Sequence, residues 1–154
     1  MNIKSVKIIE KMKQKGYSIA TIESCTGGQI VNSLTDVPGC SDVVVGGYVV
    51  YSIPQKIAVG VSSDVIMVRG VYSKECAENM AETCFLKTNA MVNIATTGRF
   101  EELVNEVDIA IYFDGQIIFS EKLVLPFEMF TAQRSEKKKY VTDKILDILL
   151  GLEM

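Results

Sequence analysis

Residues 3–15 set Ile, Val and Met among Lys and Glu at helical spacing, and Gly16 supplies the stop. Residues 17–22 then read as a short buried strand, and residues 26–34 as a second helix closed by the turn formers Asp36, Pro38 and Gly39. The β-branched and aromatic run 43–51 predicts a strand, with Gly46-Gly47 marking a bulge or a close backbone approach. Pro54 opens a short helical turn over 54–60. Ser73 is an N-cap for a helix to about Lys87, with Ala77, Met80, Ala81 and Cys84 on one face. Strands follow at 90–97, 107–113 and 116–125, the last two joined by Asp114-Gly115, a strong hairpin signal. Residues 131–150 predict a terminal helix with Thr131 as its cap. Early alternation of helix and strand followed by a late hairpin predicts a three-layer α/β domain with a mixed sheet.

Composition narrows the classes of function. The 154 residues suit one domain over 1–154, and 48% hydrophobic with 23% charged residues fits an ordinary globular chain. The net charge of −3 offers no general attraction to nucleic acid or an anionic membrane. No apolar run approaches the roughly 20 residues of a membrane span, and no signal-peptide core follows Met1. Cys25, Cys40, Cys76 and Cys84 form no CxxC pair, so they read as reduced thiols of a cytoplasmic protein. The chain has no histidine. Ser-His-Asp and Cys-His catalysis and histidine metal sites are therefore excluded, and no metal site is expected.

The chemistry concentrates at Glu23-Ser24-Cys25-Thr26-Gly27-Gly28, where a strand meets a helix start. Unpaired N–H groups and the positive end of the macrodipole gather at such a start. Ser24 reads either as a cap or as a nucleophile with the N–H groups around Thr26, Gly27 and Gly28 as an oxyanion hole. Cys25 is its rival, because a thiol at a helix N-terminus ionises readily, but neighbouring residues at a strand end point apart and only one faces a cleft. A serine nucleophile needs a base. Without histidine, a desolvated Lys56 in Tyr51-Ser52-Ile53-Pro54-Gln55-Lys56 is the candidate. Tyr51 either hydrogen-bonds in the same site or ends a strand. Thr96-Thr97-Gly98 stands where open α/β sheets bind ligands. Arg134, near the last helix start, is positioned to meet an anion.

These segments resemble the CinA C-terminal domain family, which includes the stand-alone nicotinamide mononucleotide deamidases. The resemblance runs through Glu23 to Gly28, Asp36-Val37-Pro38-Gly39, Ser41, Gly47 to Ser52, Lys56, Gly60-Val61, Gly70, Ser73 and Met80-Ala81, up to Gly98. It implies a three-layer α/β/α fold with a mixed sheet, and hydrolysis of a nicotinamide carboxamide without metal or cofactor. The family nucleophile falls on Ser24 and its lysine base on Lys56; Tyr51, Thr97 and Arg134 fall on further site positions. The partner implied is a small nucleotide substrate, and small α/β enzymes commonly form two-fold dimers, so a homodimer is an assembly to test for.

After Gly98 the chain departs from the family, which continues into a glycine-rich loop. Here stands Arg99-Phe100-Glu101-Glu102-Leu103-Val104-Asn105-Glu106, read as a shorter loop without glycines for a backbone anion nest. Glu101 and Glu102 are expected to repel a phosphate, and Arg99 to offset that in part. Two other functions follow from this departure: a non-catalytic domain that binds a nucleotide or a protein, and an amidase for a different small amide.

Overall fold

The computed structural model describes all 154 residues. The chain runs α1 (Ile3–Lys15), β1 (Ile19–Glu23), α2 (Gln29–Thr35), β2 (Val44–Val49), α3 (Ile53–Val59) and α4 (Ser63–Arg69). It continues through α5 (Lys74–Thr88), β3 (Val92–Phe100), β4 (Asn105–Phe113), β5 (Gln116–Val124) and α6 (Arg134–Gly151). The sheet order is β2-β1-β3-β4-β5. β1 pairs parallel with β2 and β3, whereas β3, β4 and β5 pair antiparallel. The sheet is thus mixed, and helices cover both faces.

Strand alternation divides the core in two. Ile19, Ile94, Ile109 and Ile111 face Ile8, Ile9 and Met12 of α1 and Val141, Ile145 and Leu149 of α6. Ala20, Ile22, Ala95 and Ala110 face Ala77, Met80, Ala81 and Cys84 of α5. Each buried Ile or Leu contributes about 1.5–3 kcal/mol, so the first face supplies most of the hydrophobic stabilisation. No helix is long and apolar enough to cross a membrane.

Local signals explain most element ends. Asn2 Oδ1 accepts the Lys4 N–H at 2.8 Å to start α1, and Gly16 ends it with φ 68°. Ser73 Oγ accepts the Cys76 N–H at 3.1 Å to start α5. Asp114 and Gly115 both have positive φ, as a two-residue hairpin turn requires. In β2 the pairing shifts from Ile19↔Val44 to Ala20↔Gly46, which leaves Val45 as the bulge. A Cβ on Gly47 would stand 2.5 Å from Thr21 Oγ1, so the close approach is present as well.

Besides shifts of one to three residues at strand ends, four features differ from the sequence reading. α2 begins at Gln29 rather than at residue 26, because Gly27 and Gly28 take φ values of 61° and 91° and form a turn. α4, capped by Ser62, occupies a stretch to which the hydrophobic pattern assigns no element. α6 starts at Arg134 rather than at 131; Gln133 and Glu136 form a capping box in place of Thr131. The segment 99–106 is a tight hairpin rather than a loop. Arg99 pairs with Glu106 and Phe100 with Asn105, and the Glu101 N–H donates to Val104 O at 2.9 Å. Gly98 permits this approach, since a Cβ there would collide with the Glu106 carbonyl oxygen and lie 2.7 Å from Val107 Cα.

Candidate active site

The turn that carries Ser24 is held from beneath by Glu23. This fully buried carboxylate accepts from Thr26 Oγ1 at 2.7 Å, Thr21 Oγ1 at 3.1 Å, and the N–H groups of Ile30 and Val31 at 3.0 Å each. The last two are orphan donors of the first turn of α2, so Glu23 joins the end of β1 to the start of α2. Ser24 follows at the carboxyl end of β1, with its N–H donating to Thr96 O of the adjacent β3 at 3.0 Å. Open α/β sheets place ligands at this edge.

Lys56 approaches from α3. Pro54 and the Ser52 cap start that helix, and the lysine side chain turns inward until the residue is only 2% exposed. Its Nζ lies 2.9 Å from Ser24 Oγ and donates to Val50 O at 2.9 Å. Burial lowers the Lys56 pKa from its ordinary 10.5, because the ammonium loses its water. Ionised Cys25 or Cys76 thiols nearby would oppose that shift. Burial pushes those thiols up to about 12 and about 11, so near neutrality both are uncharged and exert no such pull.

The same burial separates Ser24 from its rival. Cys25 is 4% exposed, packs with the α1/α6 core and has no accessible thiolate near pH 7. The serine, in contrast, touches the amine of Lys56. Around it, the Gly27 N–H donates to Ser24 O at 3.0 Å, whereas the N–H groups of Cys25, Thr26 and Gly28 donate to no carbonyl. The Cys25 and Thr26 amides lie against the Cys25 thiol, and of these three residues Cys25 alone lines the cleft, so the expected oxyanion donors at 26–28 are turned away from it.

Ser24 and Lys56 open onto a cleft of about 380 Å³, lined also by Cys25, Tyr51, Gly98 and Arg134. Arg134 Nη2 donates to Tyr51 Oη at 2.9 Å and Nη1 to Phe100 O at 3.0 Å. Other expected residues lie elsewhere. Thr26 Oγ1 is buried against Glu23 and Thr96, and Thr97 Oγ1 donates to Val71 O at 2.8 Å, so neither hydroxyl reaches the cleft. Gly27 abuts Lys138 and Gly28 abuts Val49, so these glycines shape the turn. Glu101 lines the cleft and Glu102 does not.

Sequence reasoning missed Tyr72, Phe100 and the placement of Arg99, all of which line the cleft. Arg99 lies over the Tyr72 ring with its guanidinium carbon 5.0 Å from the ring centre, and Arg134 lies over Phe100 at 5.7 Å. No local motif marks Tyr72; the loop 70–73 is brought in by the Thr97–Val71 hydrogen bond. No group of three or more Cys, Asp or Glu side chains is gathered to hold a metal ion.

The comparisons concern the family and the fold. A CinA-like protein of Chloroherpeton thalassium is 47% identical over 90 residues, covering 58% of this chain and 21% of the relative. A putative competence-damage inducible protein of Clostridium beijerinckii is 32% identical over 157 residues, covering 97% of this chain and 37% of the relative. The chain therefore spans about a fifth to two-fifths of these relatives. Among solved structures, the CinA superfamily protein KP700603 of Klebsiella pneumoniae superposes with a TM-score of 0.87 at 20% identity, covering 97% of this chain and 96% of that one. The competence/damage inducible protein CihA of Agrobacterium tumefaciens gives 0.85 at 24% identity, covering 96% and 92%. These structural matches concern the fold. The family model of the CinA C-terminal domain matches residues 2–101, a span that contains Ser24, Lys56 and both strands beside them, and the chain belongs to that family.

Proposed function

We propose that the protein hydrolyses the carboxamide of nicotinamide mononucleotide to nicotinate mononucleotide and ammonia through Ser24 and Lys56. The observation that carries this reading is the buried 2.9 Å contact between Lys56 Nζ and Ser24 Oγ. In its neutral form, Lys56 accepts the Ser24 proton while an N–H remains on Val50 O. Ser24 Oγ attacks the carboxamide carbon, and the carbonyl electron pair moves to oxygen, where the backbone N–H of Cys25, at the cleft end of the turn, stabilises it. The lysine ammonium then protonates the leaving nitrogen as the C–N bond breaks, and ammonia departs. Water attacks the acyl-serine, Lys56 takes the water proton and returns it to Oγ, and the carboxylate product leaves. The side chain of Tyr51, held by Arg134, closes the outer part of the cleft.

An ammonia-release assay with purified protein tests this. Wild type should turn over nicotinamide mononucleotide, and Ser24→Ala should lose on the order of 10⁴-fold in kcat while melting normally. Cys25→Ala should keep its activity. An active Ser24→Ala protein would remove the serine from the mechanism. Ammonia from nicotinamide riboside but none from the mononucleotide would reassign the site to a non-phosphorylated amide.

A further inference from the structure

The cleft carries more positive charge than the glutamates at 101 and 102 suggest. Lys56, Arg99 and Arg134 line it against a single carboxylate, Glu101. With Lys56 neutral for catalysis, two guanidiniums still face one glutamate. Their situations differ. Arg134 has both terminal nitrogens engaged, one with Phe100 O and one with Tyr51 Oη. Arg99 is fixed in place but under-used. It lies over Tyr72, its Nη2 donates to Glu106 Oε1 at 3.3 Å, and its backbone is paired in β3. Glu106 also faces Lys122 Nζ at 3.5 Å, so one carboxylate is shared between two cations. Arg99 Nε is shielded from solvent and has no acceptor, and Nη1 makes no hydrogen bond within the protein. A planar cation held in the same cleft as Ser24, with Nη1 unfilled, is suited to a charge-assisted contact with an anion.

We propose that Arg99 is the specificity-determining residue of this cleft and receives the phosphate of the nucleotide amide. The inference rests on the function proposed above for its choice of substrate. A planar fork of side-chain donors on a strand here does the work of a loop of backbone N–H groups. A phosphate oxygen meets the unpaired Nη1 of Arg99, Nε staying shielded, and Arg134 adds charge from α6. Glu101 limits the gain without reversing its sign.

Binding to the Ser24→Ala protein isolates recognition from turnover. Calorimetric titration should show nicotinamide mononucleotide binding at least about 10-fold more tightly than nicotinamide riboside, the size expected for a charge-assisted contact. Adding Arg99→Gln should weaken the mononucleotide about 10- to 100-fold and erase its advantage over the riboside. Arg99→Lys should recover part of that advantage, since charge returns without the planar fork; it also serves if the glutamine variant misfolds, which its melting curve reveals. Inorganic phosphate should compete with the mononucleotide when Arg99 is present and not after Arg99→Gln. A preference for the mononucleotide that survives Arg99→Gln, or equal binding of the two ligands with Arg99 in place, overturns the proposal. Ammonia release is scored separately. A wild type that binds the mononucleotide through Arg99 yet releases no ammonia defeats the proposed reaction and leaves this assignment standing. Turnover with a KM indifferent to Arg99 defeats this assignment alone.

Discussion

The two walls of the cleft are built by different means. The nucleophile wall stands on the parallel half of the sheet, where Ser24 and Lys56 lie at the ends of β1 and β2 and within α3. Buried contacts fix it several times over: Glu23 accepts four hydrogen bonds, Ser24 N–H reaches Thr96, and Lys56 bridges Ser24 and Val50. The rim wall stands on the antiparallel half, in the 101–104 turn and the start of α6. Longer side chains brace it nearer the surface: Lys137 Nζ donates to Asn105 Oδ1 at 2.8 Å, Asn105 Nδ2 donates to Glu101 O at 2.8 Å, and Arg134 Nη1 donates to Phe100 O at 3.0 Å. The first wall holds a reacting pair within one hydrogen bond, where small displacements are costly to rate. The second carries charges that act over longer distances and tolerates different local solutions. The family model ends at residue 101, where one wall gives way to the other.

The sharpest way to break this comparison is to remove the base. Lys56→Met should lower kcat by three orders of magnitude or more, on the order of the loss for other members of a catalytic pair. Activity of the wild type should rise with pH through the lowered Lys56 pKa, because the neutral amine is the working form. Lys56→Arg should not rescue, as guanidinium stays protonated. Stability carries the same signature. Between the lowered folded value and the ordinary 10.5, the unfolded chain binds one more proton than the folded chain, so folding gains stability as pH rises across that window. The melting temperature of wild type relative to Lys56→Met should therefore climb with pH there. A flat difference, or activity falling with pH, would reject a desolvated lysine base.

The second break falls on the support beneath the nucleophile. Glu23→Ala strands two helix N–H groups and the Thr21 hydroxyl in a buried place, while Thr26 Oγ1 keeps Thr96 Oγ1. Buried donors left unpaired cost about 1–3 kcal/mol each, less where water enters, so a loss of about 3 kcal/mol or more is expected in urea unfolding. Glu23→Gln keeps the shape and acceptor on one side only, so it should fall between. A Glu23→Ala protein of wild-type stability and activity would show that the turn is fixed by its glycines alone.

How much of this was legible in the sequence follows the same division. Gly16, Ser73 and Asp114-Gly115 are local signals with local causes, and the elements they bound came out where the pattern put them. Ser24 and Lys56 were legible because the lack of histidine leaves few bases for a serine. The role of Glu23 was not, since its partners at 30 and 31 depend on how α2 meets β1. Thr26 and Thr97 were misplaced because a strand-end hydroxyl points into the cleft or away from it according to strand pairing. The 99–106 segment reads as a loop because Phe100, Leu103 and Val104, interrupted by glutamates, lack a clear period. The antiparallel ladder to β4 overrides that weak local preference. Tyr72 enters the site through tertiary contacts: Arg99 over its ring, Lys122 Nζ on its carbonyl oxygen, and the Thr97 hydrogen bond to its neighbour Val71.

The smallest effects should lie on the rim, and they divide two neighbouring glutamates. Glu101 lines the cleft with Arg99 and Arg134, whereas exposed Glu102 does not line it. A carboxylate near a bound phosphate repels it by about 1 kcal/mol at several ångströms when water screens the pair. Glu101→Gln should therefore lower the KM for nicotinamide mononucleotide by about fivefold at low salt, with kcat nearly unchanged, the pattern of improved uniform binding. Glutamine keeps the backbone N–H on Val104 O, so the turn itself should persist. Glu102→Gln removes the same charge one residue further along and should shift KM less than twofold, a difference of roughly 0.4 kcal/mol. Raising the ionic strength should shrink the Glu101 effect towards the Glu102 one, because solvent reaches this outer wall. Equal shifts from the two variants would mean that the turn acts through net charge and that the substrate phosphate does not lie against Glu101. A Glu101 effect confined to kcat would place that carboxylate beside the reacting amide instead, and would move the rim wall into the chemistry.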